Sequence, residues 1–418
     1  MTRVHAYVPR IVDAELADRL SSGGAVLIEG PKACGKTETA RQVAASEVLL
    51  DVDSGAREAA SIDPSLILAG DMPRLIDEWQ VEPAVWNHVR RWIDDRRGQF
   101  ILTGSAVPAD DATRHTGAAR ISRLQMRPMS LFEAGRSSGQ VSLAALMAGA
   151  PTQAADPGLE LSDLIEEVCR GGWPGFREFG LAQARRAVRD YLEEIGRADI
   201  SRVDAVERDP ERVRRLLQSL ARNVATRAPI TTLAADAAGA GAKLTDNTAR
   251  GYLVALVRLM IVEDQPAWTP HLRSKSDLRT TPARHFVDPS LAVAALAATP
   301  EQLQRDLNLF GLLFESLAVR DLRVYSQAFD GRVKQYRDNK GVEVDAIVET
   351  DDGRWAAFEV KLGQGRVDEG AAALRRFAAK IDTARSGAPS ALGVIVGSGY
   401  GYVRSDGIHV IPIGALAP

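Results

Sequence analysis

Residues 25–40 read AVLIEGPKACGKTETA, a short apolar run that breaks at Gly30, crosses a loop and resumes in helix-forming residues. The stretch fits G-x-x-x-x-G-K-[ST] at Gly30, Gly35, Lys36 and Thr37. Each position answers a chemical need: glycines let backbone N–H groups curl around phosphate oxygens, the lysine reaches the β and γ oxygens, and the hydroxyl faces Mg2+. Gly30, Pro31, Lys32, Ala33, Cys34, Gly35, Lys36, Thr37 and Glu38 are therefore the expected ATP-binding residues. The N-terminal dipole of the following helix adds to the pull on the phosphates. A glycine turn without chemistry is the alternative, and it leaves the strand-like and helix-like flanks unexplained. Cys34 is read as a small loop residue rather than a redox switch.

Two later runs extend the site. PRLIDEWQ, residues 73–80, is apolar until it ends in Asp77 and Glu78. A strand-end acid holds Mg2+, here with Thr37, and a following glutamate polarises the attacking water; two solvated acids are the plainer alternative. QFILTGS, residues 99–105, ends in hydroxyls, with Ser105 the first candidate to meet the γ-phosphate and Thr103 the second. The order of strands and helices predicts a three-layer α/β sheet with its ligand at the strand carboxyl ends. Arg114, Arg120, Arg123 and Arg127 follow. Any of them is a candidate finger that neutralises transition-state charge, in cis or from a neighbouring copy; pairing with surface carboxylates accounts equally well for each.

The chain of 418 residues is too long for one core and predicts several domains. With 45% hydrophobic and 26% charged residues it is expected to be folded and soluble. A net charge of −3 gives no global attraction to nucleic acid, so such binding needs a local patch. Two distant cysteines, Cys34 and Cys169, and no apolar leader or spanning run point to the cytoplasm and away from a membrane.

Residues 140–160 are rich in small residues, Gly and Pro, then GGWPGF leads into a charged helical stretch, the expected lid. From 212 to 268 the order is helix, helix, capped helix, polar strand pair, as in a winged helix whose third helix can enter a DNA major groove. Thr245 or Asp246 caps that helix; Leu253, Leu256, Val257 and Met260 form its apolar face, with Arg250 and Arg258 off it. Over residues 185–264 there are 14 Lys and Arg against 12 Asp and Glu, too even for an obvious phosphate footprint, so protein docking or a purely structural role stands beside DNA binding.

In GVEVDAIVETDDGRWAAFEVKLG two alternating runs flank TDDG, a hairpin signal. A loop at 351–353 sets Asp345 opposite Glu359 and Glu343 opposite Lys361, all on one face, with Val342, Val344, Ala346 and Val348 on a core face. Facing acids destabilise a sheet unless something neutralises them. A Mg2+ ion between Asp345 and Glu359 would do so, with Lys361 activating water and Glu315 entering from an apolar helix. A wet hairpin in which Glu343 pairs with Lys361 is the alternative.

GPKACGKT, LIDEWQ, ILTGS, TGAARISRLQMRPMSLFE, GGWPGF and PARHFVDPSLA together resemble the bacterial AAA-type ATPases that carry a C-terminal domain of unknown function numbered 4143. Asp345, Glu359 and Lys361, with GVIVGS at 393–398, resemble the PD-(D/E)XK nuclease core, although Val344 stands where the motif has proline. The resemblance implies an AAA core over 1–140, a helical lid over 141–210, a winged-helix-like domain over 211–298 and a restriction-endonuclease-like α/β domain over 299–418. It implies Mg2+-dependent ATP hydrolysis that controls a nucleic-acid-binding region with Glu78, Ser105, Asp345, Glu359 and Lys361 in catalytic roles. A homo-oligomer follows where a neighbour supplies the finger. The rival reading is an ATP-switched binder of DNA or protein with an inert nuclease-like tail, or a slow nucleotide timer.

Overall fold

The structure is a computed structural model that describes residues 6–105, 117–203, 206–239, 244–270 and 281–418; Arg114 lies outside them. The chain forms two units, one of residues 1–128, 199–207 and 255–261, the other of residues 129–198, 208–254 and 262–418.

In the first unit α1 (Val12–Ser22) precedes β1 (Ala25–Glu29), the glycine loop and α2 (Lys36–Arg41). Then come β2 (Ser46–Leu49), α3 (Ser54–Ile62), β3 (Arg74–Asp77), α4 (Val85–Asp94), β4 (Phe100–Gly104) and β5 (Ile121–Gln125). The five strands form a parallel sheet in the order β2-β3-β4-β1-β5. Such sheets are covered on both faces, which is why β1 and β4 are continuously apolar. Leu27, Ile76, Phe100 and Leu102 pack with Trp79, Trp86 and Val89 in one layer. Val26, Ile28, Leu75 and Ile101 pack with Val12, Leu16 and Leu20 of α1 in the other. The expected three layers are present, and β1 lies beside β4, so the loop after β1 meets the ends of β3 and β4.

The second unit opens with β6 (Val141–Ser142), α5 (Leu143–Met147), α6 (Leu161–Arg170) and α7 (Leu181–Glu194); α8 (Ile200–Arg202) belongs to the first unit. Three helices follow, α9 (Pro210–Arg222), α10 (Ile230–Ala238) and α11 (Asp246–Arg258), then β7 (Val262–Gln265) and β8 (Ala283–Phe286), paired antiparallel. Thr245 caps α11, its hydroxyl accepting from the Thr248 N–H at 3.1 Å. The buried face of α11 runs through Ala249, Tyr252, Leu253 and Leu256, and Val257 is 41% exposed. Val257 is one helical step round from Leu256, outside that stripe, so it does not belong to the apolar face expected for it.

Next are α12 (Pro289–Ala295), α13 (Pro300–Arg305), α14 (Leu307–Ser326), β9 (Arg332–Arg337), β10 (Glu343–Glu349), β11 (Trp355–Lys361) and α15 (Val367–Ala378). The chain ends with β12 (Ala391–Val396), β13 (Tyr402–Val403), β14 (His409–Pro412) and β15 (Leu416–Ala417), the last paired with β6. Six strands make a mixed sheet in the order β13-β14-β12-β11-β10-β9. The β9–β10, β10–β11 and β13–β14 pairs are antiparallel, whereas β11–β12 and β12–β14 are parallel. α14 packs against β9, β10 and β11, and α15 against β10, β11 and β12.

A buried polar hub anchors α14. The Arg320 guanidinium donates to Asp288 Oδ2 at 2.8 Å and to Asp321 Oδ1 at 2.9 and 2.7 Å. Asp288 also accepts from the Gly172 and Ser290 N–H groups, both at 2.9 Å, and Asp321 from the Leu131 N–H at 3.1 Å. Trp173 Nε1 donates to Ser290 Oγ at 3.1 Å. The sequence stretches MSLFE, GGWPGF and FVDPSLA thus converge on one charge network. Gly172 is required there, because a Cβ would lie 2.1 Å from the Met129 carbonyl oxygen.

Candidate functional site

The glycine loop is shaped by Ala33, at φ 62°, and Gly35, at φ 106°. Gly30 has no room for a side chain: a Cβ would stand 2.3 Å from the Met126 carbonyl oxygen and 2.9 Å from Cys34 Sγ. Cys34 is wholly buried, as a small loop residue would be. Lys36 is 5% exposed, and its ammonium donates to the Gly30 and Pro31 carbonyls at 3.0 and 2.9 Å. A buried ammonium must be paired, and here the loop supplies its own oxygens. Lys32 instead pairs with the buried Asp199 at 2.7 Å. The helix after the loop, α2, has only six residues, so a long helix dipole is not available to the loop.

Thr37 Oγ1 donates to Asp77 Oδ1 at 2.8 Å. The Thr103 hydroxyl donates to the same oxygen, and the Glu78 N–H donates to Thr103 Oγ1 at 3.2 Å. Glu78 takes a left-handed backbone, φ 52° and ψ 46°. Its carboxylate accepts from Ser105 Oγ at 3.1 Å and from the Gln80 amide. Thr37, Asp77, Glu78, Thr103 and Ser105 are thus brought together at the carboxyl ends of β1, β3 and β4. The hydroxyl and carboxylate of Thr37 and Asp77 are hard oxygen donors within one hydrogen bond of each other, a fit for Mg2+ carried with nucleotide phosphates. Of the arginines, Arg120 pairs with Asp94 at 2.8 Å, Arg123 with Glu29, and Arg127 donates to Gln125 Oε1 at 2.9 Å.

The second cluster lies in the mixed sheet. The β10–β11 ladder pairs Ala346 with Phe358 through to Glu349 with Trp355, which is the register the TDDG turn implies. Beyond Ala346 the simple alternation stops. A bulge separates Val344 from Ile347, and both pack in the cluster of Trp355, Ala357 and Phe377. Val344 is therefore not on a face shared with Ala346 and Val348, and the four charged residues do not form one flat row. On the β9 side Glu343 pairs with Arg337, while the β10–β11 ladder ends at Ala346 and Phe358, short of Glu343 and Lys361. Nor is the hairpin wet: Glu359 is 4% exposed in a strand otherwise buried from Trp355 to Val360.

Asp345 Oδ2 accepts from the Val360 N–H at 2.8 Å. Glu359 Oε2 accepts from Lys361 Nζ at 2.7 Å. Among the described residues no donor is recorded for the other two oxygens, Asp345 Oδ1 and Glu359 Oε1. Burial and the nearby Asp345 push the Glu359 carboxyl up to about 8, against the opposing pull of Lys361. Burial also raises Asp345, and burial followed by Asp345 raises Glu315 of α14 well above the carboxylate range. Burial lowers Lys361, but Asp345 and Glu359 outweigh it and hold the ammonium charged. Two crowded carboxylates with an uncommitted oxygen each fit a hard divalent cation. Among the described residues no three His, Cys, Asp or Glu side chains converge as a metal cluster, so water or phosphate oxygens would have to complete the shell.

Further groups frame this cluster that the sequence did not single out. Gln265 of β7 donates to the Asp345 carbonyl at 2.8 Å and the Lys334 carbonyl at 3.1 Å. His285 of β8 holds Gln265 Oε1 at 3.0 Å. Arg227, between α9 and α10, reaches Gln335 at 2.8 Å and the Glu343 carboxylate. No spacing rule links these residues to Asp345; the polar content of the strand pair was the only hint.

Residues 22–135 match the family described as AAA domain. Residues 161–302 match a domain of unknown function, DUF8612, and residues 310–416 match another, DUF4143. The chain thus combines a segment that matches the AAA domain family with a C-terminal segment that matches DUF4143. Among solved structures it is similar to the Walker-type ATPase PABY2304 of Pyrococcus abyssi, at 13% identity and TM-score 0.45, over 70% of this chain and 97% of that one. It is also similar to PH0952 of Pyrococcus horikoshii, a signal transduction ATPase with numerous domains and a tetratricopeptide repeat sensor. That match has 13% identity and TM-score 0.21, over 78% of this chain and 50% of that one. No curated protein sequence matches the chain. Among the described residues no helix is long and apolar enough to cross a membrane.

Proposed function

We propose that the chain is an ATP-controlled nuclease of DNA. In the AAA-matching segment Lys36 would exchange its two carbonyl partners for the β and γ phosphates, and Thr37 and Asp77 would hold Mg2+. Glu78 polarises the attacking water and Ser105, bonded to Glu78, meets the γ-phosphate. In the C-terminal domain Asp345 and Glu359 would hold a divalent cation, which when bound supplies Lewis acidity at the scissile phosphate. Lys361 orients water and offsets charge, and Glu315 closes the cluster from α14. Helices α9, α10 and α11 with the β7–β8 ribbon act as a winged helix that takes up the duplex, and nucleotide state governs access to the cluster.

The observation that carries the nuclease reading is the pair of carboxylates on adjoining strands, each with an oxygen that has no donor among the described residues, beside a charged lysine. The test is cleavage of linear, branched and single-stranded DNA in Mg2+ or Mn2+. Wild type is expected to cut and Asp345→Ala to lose cutting; equal activity of the two would remove the assignment. A second reading is favoured by the closed Lys361–Glu359 ion pair at 2.7 Å, which satisfies itself without metal. In it the cluster is an inherited platform that retains DNA, and retention without cutting is its signature.

A further inference from the structure

We propose that Arg227 grips a backbone phosphate of the nucleic-acid strand at the Asp345–Glu359–Lys361 cluster, an inference that rests on the nucleic-acid reading above. Arg227 comes from outside the sheet, on the turn between α9 and α10. That turn is pinned to the ribbon, since the Ala225 N–H donates to the Arg284 carbonyl at 2.8 Å and the Arg284 N–H to the Thr226 carbonyl at 3.0 Å. The side chain is only 13% exposed, an expensive place for a guanidinium that served packing alone. Its two terminal nitrogens are spent on Gln335 Oε1, at 2.8 Å, and on the Glu343 carboxylate.

Three features point from this arrangement to a phosphate. Glu343 is half exposed, so the partner of the buried guanidinium lies at the rim, where an incoming anion can replace it charge for charge. A planar fork that already holds a carboxylate suits a phosphate in the same way. Gln335 is 4% exposed, yet its Nε2 donor has no partner among the described residues, which leaves a buried donor next to the guanidinium that a phosphate oxygen would satisfy. Arg337, facing Glu343 in the β9–β10 register, is 51% exposed and continues the cationic edge. Burial and the neighbouring Arg337 bring the Arg227 pKa down to about 10, against the opposing pull of Glu315 and Asp345. The carboxylates would otherwise repel a polyanion. Arg227, Gln335 and Arg337 on one flank and Lys361 within the cluster give the strand a path that does not depend on the metal alone.

The test uses the full chain and a labelled DNA duplex with a single-stranded tail, comparing wild type, Arg227→Ala, Arg227→Lys and Asp345→Ala. Binding is measured with Ca2+ in place of Mg2+ to hold cleavage off, over a range of salt, and cleavage is measured in Mg2+. Arg227→Ala is expected to weaken binding roughly ten- to a hundredfold and to raise KM more than it lowers kcat. It should also flatten the slope of log affinity against log salt by about one unit. Arg227→Lys should restore the slope but not the affinity, because the charge returns without the fork. Unchanged binding and slope in Arg227→Ala would overturn the inference. So would faster cutting, which would make the guanidinium an internal plug. A wild type that never cuts defeats the nuclease reading alone, because the Ca2+ arm still decides the role of Arg227.

Discussion

His285 is 1% exposed, between Ser316 Oγ at 3.2 Å and Gln265 Oε1 at 3.0 Å, and burial drives its imidazole from 6.5 down to about 3. Unfolding restores the ordinary value, so below pH 6.5 the unfolded chain takes the proton that the folded chain refuses. The stability contributed by the neutral ring is complete above about 6.5 and is lost as pH falls toward 3. Thermal melts should show about 2 kcal/mol of stability lost to this ring between pH 6.5 and 5, and His285→Asn should shrink that slope. At the nucleotide site, Lys36→Ala should abolish ATP binding in calorimetry. Glu78→Gln should keep binding and slow turnover roughly a hundredfold or more. The convergence of Thr37, Asp77, Glu78 and Ser105 was legible because its geometry is local: a loop of fixed spacing and two strand ends. Arg227, Gln265 and His285 were not, because chain segments far apart in sequence bring them to Asp345.

At the scale of elements, α14 carries both the hub and Glu315. Arg320, Asp288 and Asp321 are each 3% exposed or less. Burial alone would lower the Arg320 pKa, but Asp321 and Asp288 raise it above the ordinary value. Removing the guanidinium leaves two acids uncompensated in the core, so Arg320→Ala should destabilise the second unit by about 3–5 kcal/mol, read by denaturant unfolding. The motif residues Gly172, Asp288 and Ser290 stood out in the sequence, but their service to α14 did not show there, since each is a backbone or side-chain partner across the chain. The β10–β11 hairpin was read correctly where a turn governs it: Gly353, at φ 84°, closes the TDDG loop and sets the register. The reading failed one residue beyond Ala346, where the bulge breaks alternation, and at the supposed wet face. α14 and α15 bury β11 on both sides, and nothing within the hairpin announces them.

For the whole molecule, the claim is that a nucleotide event in one unit governs chemistry in the other. The five-stranded parallel sheet and the mixed sheet each have a legible core, because each strand run is apolar where two layers cover it. Their coupling has no such local signature and must be measured. The direct test is the rate of DNA cleavage with no nucleotide, with ATP and with a non-hydrolysable ATP analogue, in wild type, Lys36→Ala and Asp345→Ala. The account predicts that nucleotide changes the wild-type rate, that Lys36→Ala cuts at one rate whatever nucleotide is present, and that Asp345→Ala does not cut under any condition. Wild-type cleavage that is indifferent to nucleotide, or that persists in Asp345→Ala, would contradict it.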